Sequence, residues 1–96
     1  MTIIVPLDSV PSQKQKVILA DQNVGVFVYL LDSRLYADLT VDDEPIVTAV
    51  LCQNLVRIVD LDHYGFIGDL VFYDTQGESD PTYDALGSRY VLVYLP

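Results

Sequence analysis

Few side chains in this sequence stand at spacings that chemistry uses. Asp60-Leu61-Asp62-His63-Tyr64-Gly65 opens like a calcium loop, with acids at the first and third positions and glycine at the sixth. The fifth position is Tyr64, however, and the twelfth, where a bidentate glutamate belongs, is Val71, so the segment reads as a solvated turn. Asp74, Glu78, Asp80 and Asp84 follow at irregular spacing, the pattern of hydrated loop charges rather than of a cation cage. Cys52 and His63 are the only cysteine and the only histidine. A nucleophile and base made from them would need to meet in space with a third, orienting group, and Cys52 stands in an apolar run where a buried thiol is inert packing. The same scarcity leaves a zinc site without ligands and the fold without an internal disulfide. Asp60 and Asp62 are a carboxylate pair in reach of acid–base work, but two acids in one turn are far commoner as solvated charges. Gly65-Phe66-Ile67-Gly68 matches the GxxG that clamps a nucleic-acid backbone in some RNA-binding modules, without the helix pair and basic surroundings that this use requires. Its glycines are read as turn formers with positive φ. With no nucleophile elbow or phosphate loop either, the chain reads as a non-enzyme that holds no metal and no cofactor.

Whatever this protein does must then be done by its surface, and composition says what kind of surface that is. The 96 residues carry fourteen acids against five bases, for a net charge of −9 and a pI near 4.1. Such a field repels phosphate backbones and argues against sequence-specific nucleic-acid binding. Hydrophobic residues make up 51% and the mean hydropathy is +0.32, high for so small a chain and in keeping with an oligomer or a larger complex. No apolar run reaches the ~18–20 residues of a membrane helix. The segment Met-Thr-Ile-Ile-Val-Pro-Leu-Asp lacks the basic leader and apolar core of a signal peptide, so synthesis in a cytoplasm is expected.

Short β-branched and aromatic runs between turn residues predict an all-β chain, a single domain over residues 1–96. Strands are expected at residues 3–5, 14–20, 24–31, 34–41, 46–52, 55–61, 69–74 and 89–95. Residues 7–13 read as a connector. Asp21-Gln22-Asn23, Asp32-Ser33 and Asp42-Asp43-Glu44-Pro45 read as turns, and residues 75–88 as an exposed acidic loop with one helical turn at 83–86. Residues 34–41 alternate cleanly, with Leu35, Ala37, Leu39 and Val41 inward and Arg34, Tyr36, Asp38 and Thr40 outward. Short connections between residues 14 and 52 predict a four-strand antiparallel meander within a small antiparallel β-sandwich or barrel-like domain of about 6–8 strands.

Residues 24–31 break the alternation. Val24, Val26, Val28 and Leu30 share one face, yet Phe27, Tyr29 and Leu31 make the opposite face apolar too. Left wet, those three would expose on the order of 400–500 Å², near the limit for a soluble monomer. Residues 89–95 are apolar at both parities as well. Phe27, Tyr29, Leu31, Tyr90, Val93 and Tyr94 are therefore the candidate interface residues, and a second layer or another subunit is expected over them.

Taken together, Ile4-Val5-Pro6-Leu7, Leu35-Tyr36-Ala37-Asp38-Leu39, Glu44-Pro45-Ile46-Val47-Thr48-Ala49-Val50, Gly68-Asp69-Leu70, Asp80-Pro81-Thr82-Tyr83 and Leu86-Gly87-Ser88-Arg89-Tyr90-Val91-Leu92-Val93-Tyr94-Leu95 resemble the baseplate plug family of contractile-tailed bacteriophages. The resemblance spans nearly the whole chain, in order. Tyr36 stands where many relatives have tryptophan, and Asn54 where glycine is common. What the resemblance implies is a structural protein of the virion tail baseplate, near hub and tail tube, acting in assembly. It also implies other baseplate, hub and tail-tube proteins as partners and a homo-oligomer in a symmetric ring. The acidic loop 75–84 would then face a lumen through which DNA passes. The competing reading is a free β-sandwich module that stacks a glycan or peptide on exposed tyrosines such as Tyr64 and Tyr83.

Overall fold

A computed structural model describes residues 3–59 and 68–95. The expected calcium-loop, GxxG and Cys52–His63 features fall wholly or partly on residues 60–67 and so lie outside the described residues.

Among the described residues, seven strands form two antiparallel sheets that pack as an open sandwich, not a closed barrel. β2 (Ser12–Leu19), β3 (Gln22–Leu31), β4 (Arg34–Val41) and β5 (Glu44–Leu51) are the meander, in the order β2-β3-β4-β5. The second sheet sets β7 (Tyr90–Leu95) between β1 (Ile3–Val5) and β6 (Asp69–Asp74). Alternation places Leu19, Val26, Val28, Ala37 and Leu39 on the inner face of the first sheet, against Val5, Leu70, Phe72, Leu92 and Tyr94 of the second, in one buried cluster. Each large side chain taken fully out of water there contributes about 1.5–3 kcal/mol.

All three meander turns have two central residues, Ala20-Asp21, Asp32-Ser33 and Asp42-Asp43, each with positive φ. That is the type I′ conformation, whose twist suits the strands it joins. The turns are shorter than the sequence pattern indicates: Gln22, Asn23, Glu44 and Pro45 already belong to strands. Pro45 is tolerated because β5 is an edge strand, where a missing N–H breaks no inner ladder.

The strand expected over 55–61 is not formed over its described part, 55–59. Leu55 has φ 59°, and the run touches β6 only at single bridges, Asn54 with Phe72 and Arg57 with Val71. It still closes the β6 edge. Leu55 N–H donates to the Phe72 carbonyl (2.8 Å) and Ile58 N–H to that of Leu70 (2.9 Å).

Candidate interaction surfaces

No enclosed catalytic constellation forms among the described residues, and no three potential metal ligands cluster there. Cys52, just past β5, is buried and unbridged, and burial pushes its thiol up to about 12. Such a thiol is not a nucleophile near neutral pH.

The acidic loop is organised by its own carboxylates. Asp74, 2% exposed, receives the Arg89 guanidinium through Nε (2.8 Å) and Nη2 (2.9 Å), with the Gln76 and Ser79 N–H groups at 2.9 and 2.8 Å. Arg89, followed by those backbone donors, holds its carboxyl well below the usual range against the opposing cost of burial. Asp80 accepts the Asn54 N–H (3.0 Å), and Asp84 the Thr82 hydroxyl (2.6 Å). Asp74, Asp80 and Asp84 thus pin the 3-10 turn Tyr83–Ala85 and its flanks, rather than gathering round a cation. Asn54 explains its departure from glycine: its Oδ1 accepts the Asp74 N–H at 2.9 Å, a bond glycine could not make.

The outer face of the meander carries Phe27, Tyr29 and Tyr36 side by side, with ring centroids 4.8 Å apart for the first pair and 6.2 Å for the second. Register explains the row, since Tyr29 pairs with Tyr36 and Phe27 lies between Lys14 and Asp38. Asp38 was not singled out by the sequence, because an outward aspartate on an alternating strand signals only a wet face. Its Oδ1 accepts the Tyr29 hydroxyl (2.9 Å) and the Ala49 N–H (2.7 Å). Ala49 has φ 53° at the irregular stretch of the β4–β5 ladder, so the carboxylate replaces an acceptor that a regular ladder would supply. Burial, then Asp38, raises the Tyr29 hydroxyl's pKa.

The six candidate interface residues separate into two groups. Phe27, Tyr29 and Val93 are half-buried and Leu31 is 52% exposed. Phe27, Tyr29 and Leu31 stay on the outer side of the meander, uncovered by the second sheet. Tyr90 and Tyr94, at 4% and 1% exposure, belong to the inner core. Leu30, expected inward, is 38% exposed because it stands next to the strand end, at the edge of the second layer's cover. On the second sheet, Val93 stands between Ile4 and Val71, and Val91 beside Tyr73, a row without a charge. Ile4 in that row is 58% exposed.

The first and last of the segments that carried the family resemblance meet in space. β1 pairs with β7, Ile4 opposite Val93, which joins the Ile-x-Pro-Leu opening to the closing strand. Leu7 and Leu86 are both buried, the Ser9 hydroxyl donates to the Leu86 carbonyl (2.9 Å), and Gly87 N–H donates to that of Tyr90 (2.8 Å). Gly87 has φ 83°, and a Cβ there would strike the Leu7 carbonyl. A family model described as cyanophage baseplate Pam3 plug gp18 matches residues 1–96. The chain belongs to this baseplate plug family. Membership makes it a structural phage baseplate protein of the virion tail, with other baseplate proteins as its partners. Among curated proteins nothing matches the chain. For a baseplate plug, the opening and closing motifs have a structural sense: they are the joint that ties both ends of the chain into one sheet, while residues 35–39 and 44–50 pair with each other in the meander.

Proposed function

We propose that the protein acts in tail assembly, as a small β-sandwich clamped in the centre of the baseplate near hub and tail tube, its outer sheet faces covered by neighbouring chains. One observation carries the reading: in a chain of net charge −9, both outer faces expose apolar residues, Phe27, Tyr29 and Leu31 on one and Ile4, Val93 and Tyr73 on the other. Surfaces of that kind are core-like interfaces awaiting a partner. Family membership supports the location, and the rotational symmetry of tails supports a ring of identical copies about the axis. In that ring the acidic loop 75–84 faces the lumen, where its charge keeps passing DNA from adhering.

Electron cryomicroscopy of assembled tails, with the chain carrying a small fused tag, tests the proposal. Tag density is expected at the centre of the baseplate in rotationally repeated copies. Tails that assemble with normal infectivity in the chain's absence would overturn it.

A further inference from the structure

β2 ends its sheet, and among the described residues no backbone group bonds to its outward side. The two-residue turn Ala20-Asp21 fixes which of its groups lie there. Leu19 and Gln22 close that turn as a hydrogen-bonded pair, so Leu19, Val17, Gln15 and Gln13 exchange bonds with β3. Ser12, Lys14, Lys16 and Ile18 therefore aim their N–H and C=O groups away from it. The other edges are closed, blunted or short. Residues 54–58 bond to β6, β5 carries Pro45 and the irregular stretch at Ala49, and β1 is three residues long. β2 by contrast pairs with β3 without interruption over its eight residues, a span of about 27 Å.

The side chains along this edge narrow the choice of occupant. Lys14 and Lys16 are the only lysines in the chain, and β2 holds no acid. Ile18, on the same side, is 70% exposed, more than any other large apolar residue described. Lys16 meets Asp43 at 3.9 Å, but both side chains stand largely in solvent, where such a pair contributes little and exchanges readily. Asp38, two strands further in, is taken by the Tyr29 hydroxyl and the Ala49 N–H, and Asp42 by the Asn23 amide. A second copy does not supply the missing strand. β2 laid antiparallel on its own kind about the centre of the edge sets Lys14 against Lys16, like charges directly opposite, and the copy's remaining edges are the closed, blunted or short ones.

We infer that an extended segment of a different baseplate protein adds a strand to β2, with carboxylates at alternate positions beside Lys14 and Lys16 and an apolar side chain beside Ile18. The inference deepens the assembly reading and rests on it. Backbone bonds to Ser12, Lys14, Lys16 and Ile18 supply the affinity, and the outward side chains set register and partner. Lysines on an edge turn away like strands; toward an acidic strand the same residues are attractive.

A carbodiimide, which joins an ammonium to a touching carboxylate with no spacer, tests the contact on purified tails. In the free chain the expected lysine product is the internal Lys16–Asp43 amide. In tails, mass spectrometry is expected to find Lys14 and Lys16 joined to acids two positions apart in one segment of a different baseplate protein, with the internal amide reduced several-fold. Tails that contain the chain but give no amide, only the internal one, links to another copy, or links scattered over several proteins overturn the inference and leave the baseplate reading standing. Absence of the wild-type chain from tails removes both. Lys16→Pro tests the backbone, since it removes an outward N–H and no bond to β3. Circular dichroism should stay unchanged while the Lys14 amide and entry into tails fall several-fold, and Lys16→Ala, which keeps the N–H, should enter within about twofold of wild type. A folded Lys16→Pro chain that enters and links like wild type overturns the added strand; should it not fold, the carbodiimide products decide.

Discussion

Asp38 and Asp74 show how much of this small protein depends on carboxylates that no motif marks. Asp38 mends an irregular ladder from outside the sheet, and Asp74 gathers one guanidinium and two backbone N–H groups beneath the acidic loop. Because Arg89 depresses the Asp74 pKa, the folded chain keeps this charge at acidities where the unfolded chain is protonated. The stabilisation is therefore complete above the ordinary carboxylate value of about 4 and drains away as pH falls below it toward the depressed one. Asp74→Asn should lower stability at pH 7 and flatten the loss between pH 5 and about pH 2.5, read from urea melts at each pH. Parallel slopes for variant and wild type would show that Asp74 is not the acid-sensitive group. The sequence pattern placed Asp74 correctly at the end of the strand 69–74 but not in its ion pair, because Arg89 lies fifteen residues away and only the β6–β7 pairing brings it near.

At the scale of elements, the meander was legible because period-2 patterning and two-residue turns are local signals. β4 and β6 have the expected bounds, and Leu35, Ala37, Leu39 and Val41 all face the core. Residues 55–59 misled because a run rich in β-branched apolar residues, Leu55-Val56-Arg57-Ile58-Val59, has the local composition of a strand, while the left-handed backbone at Leu55 and the lone bridges to β6 depend on partners distant in sequence. The three type I′ turns hold no glycine and store left-handed strain at each central residue. Ser33→Gly, with φ 67° in the wild type, should raise stability by about 1 kcal/mol in urea denaturation. Gly87→Ala should lower it by about 2 kcal/mol or more, since the new Cβ meets both a positive φ and the Leu7 carbonyl. An unchanged midpoint in either variant would contradict the turn argument.

For the whole molecule, the sandwich leaves two outer faces of different make-up: an aromatic row flanked by lysines on the meander, and Ile4, Val93, Val91 and Tyr73 on the second sheet, where the one carboxylate of the β6–β7 pairs on that side, Asp69, is buried. Leu31→Asp and Val93→Asp separate them. Leu31 is half in solvent and its variant should fold, while Val93→Asp is checked by circular dichroism. Each folded variant should enter tails several-fold less than wild type, measured by quantitative blotting of purified particles, and normal entry of both would refute the role of these faces. By itself the sequence determined the all-β class, the four-strand meander and the surplus of apolar surface, because alternation and charge are properties of neighbouring residues. Only the tertiary structure decided how that surplus is spent. Tyr90 and Tyr94 are consumed by the core and Phe27, Tyr29 and Leu31 are left outside, since which face of a strand is inner is set by the sheet that packs against it.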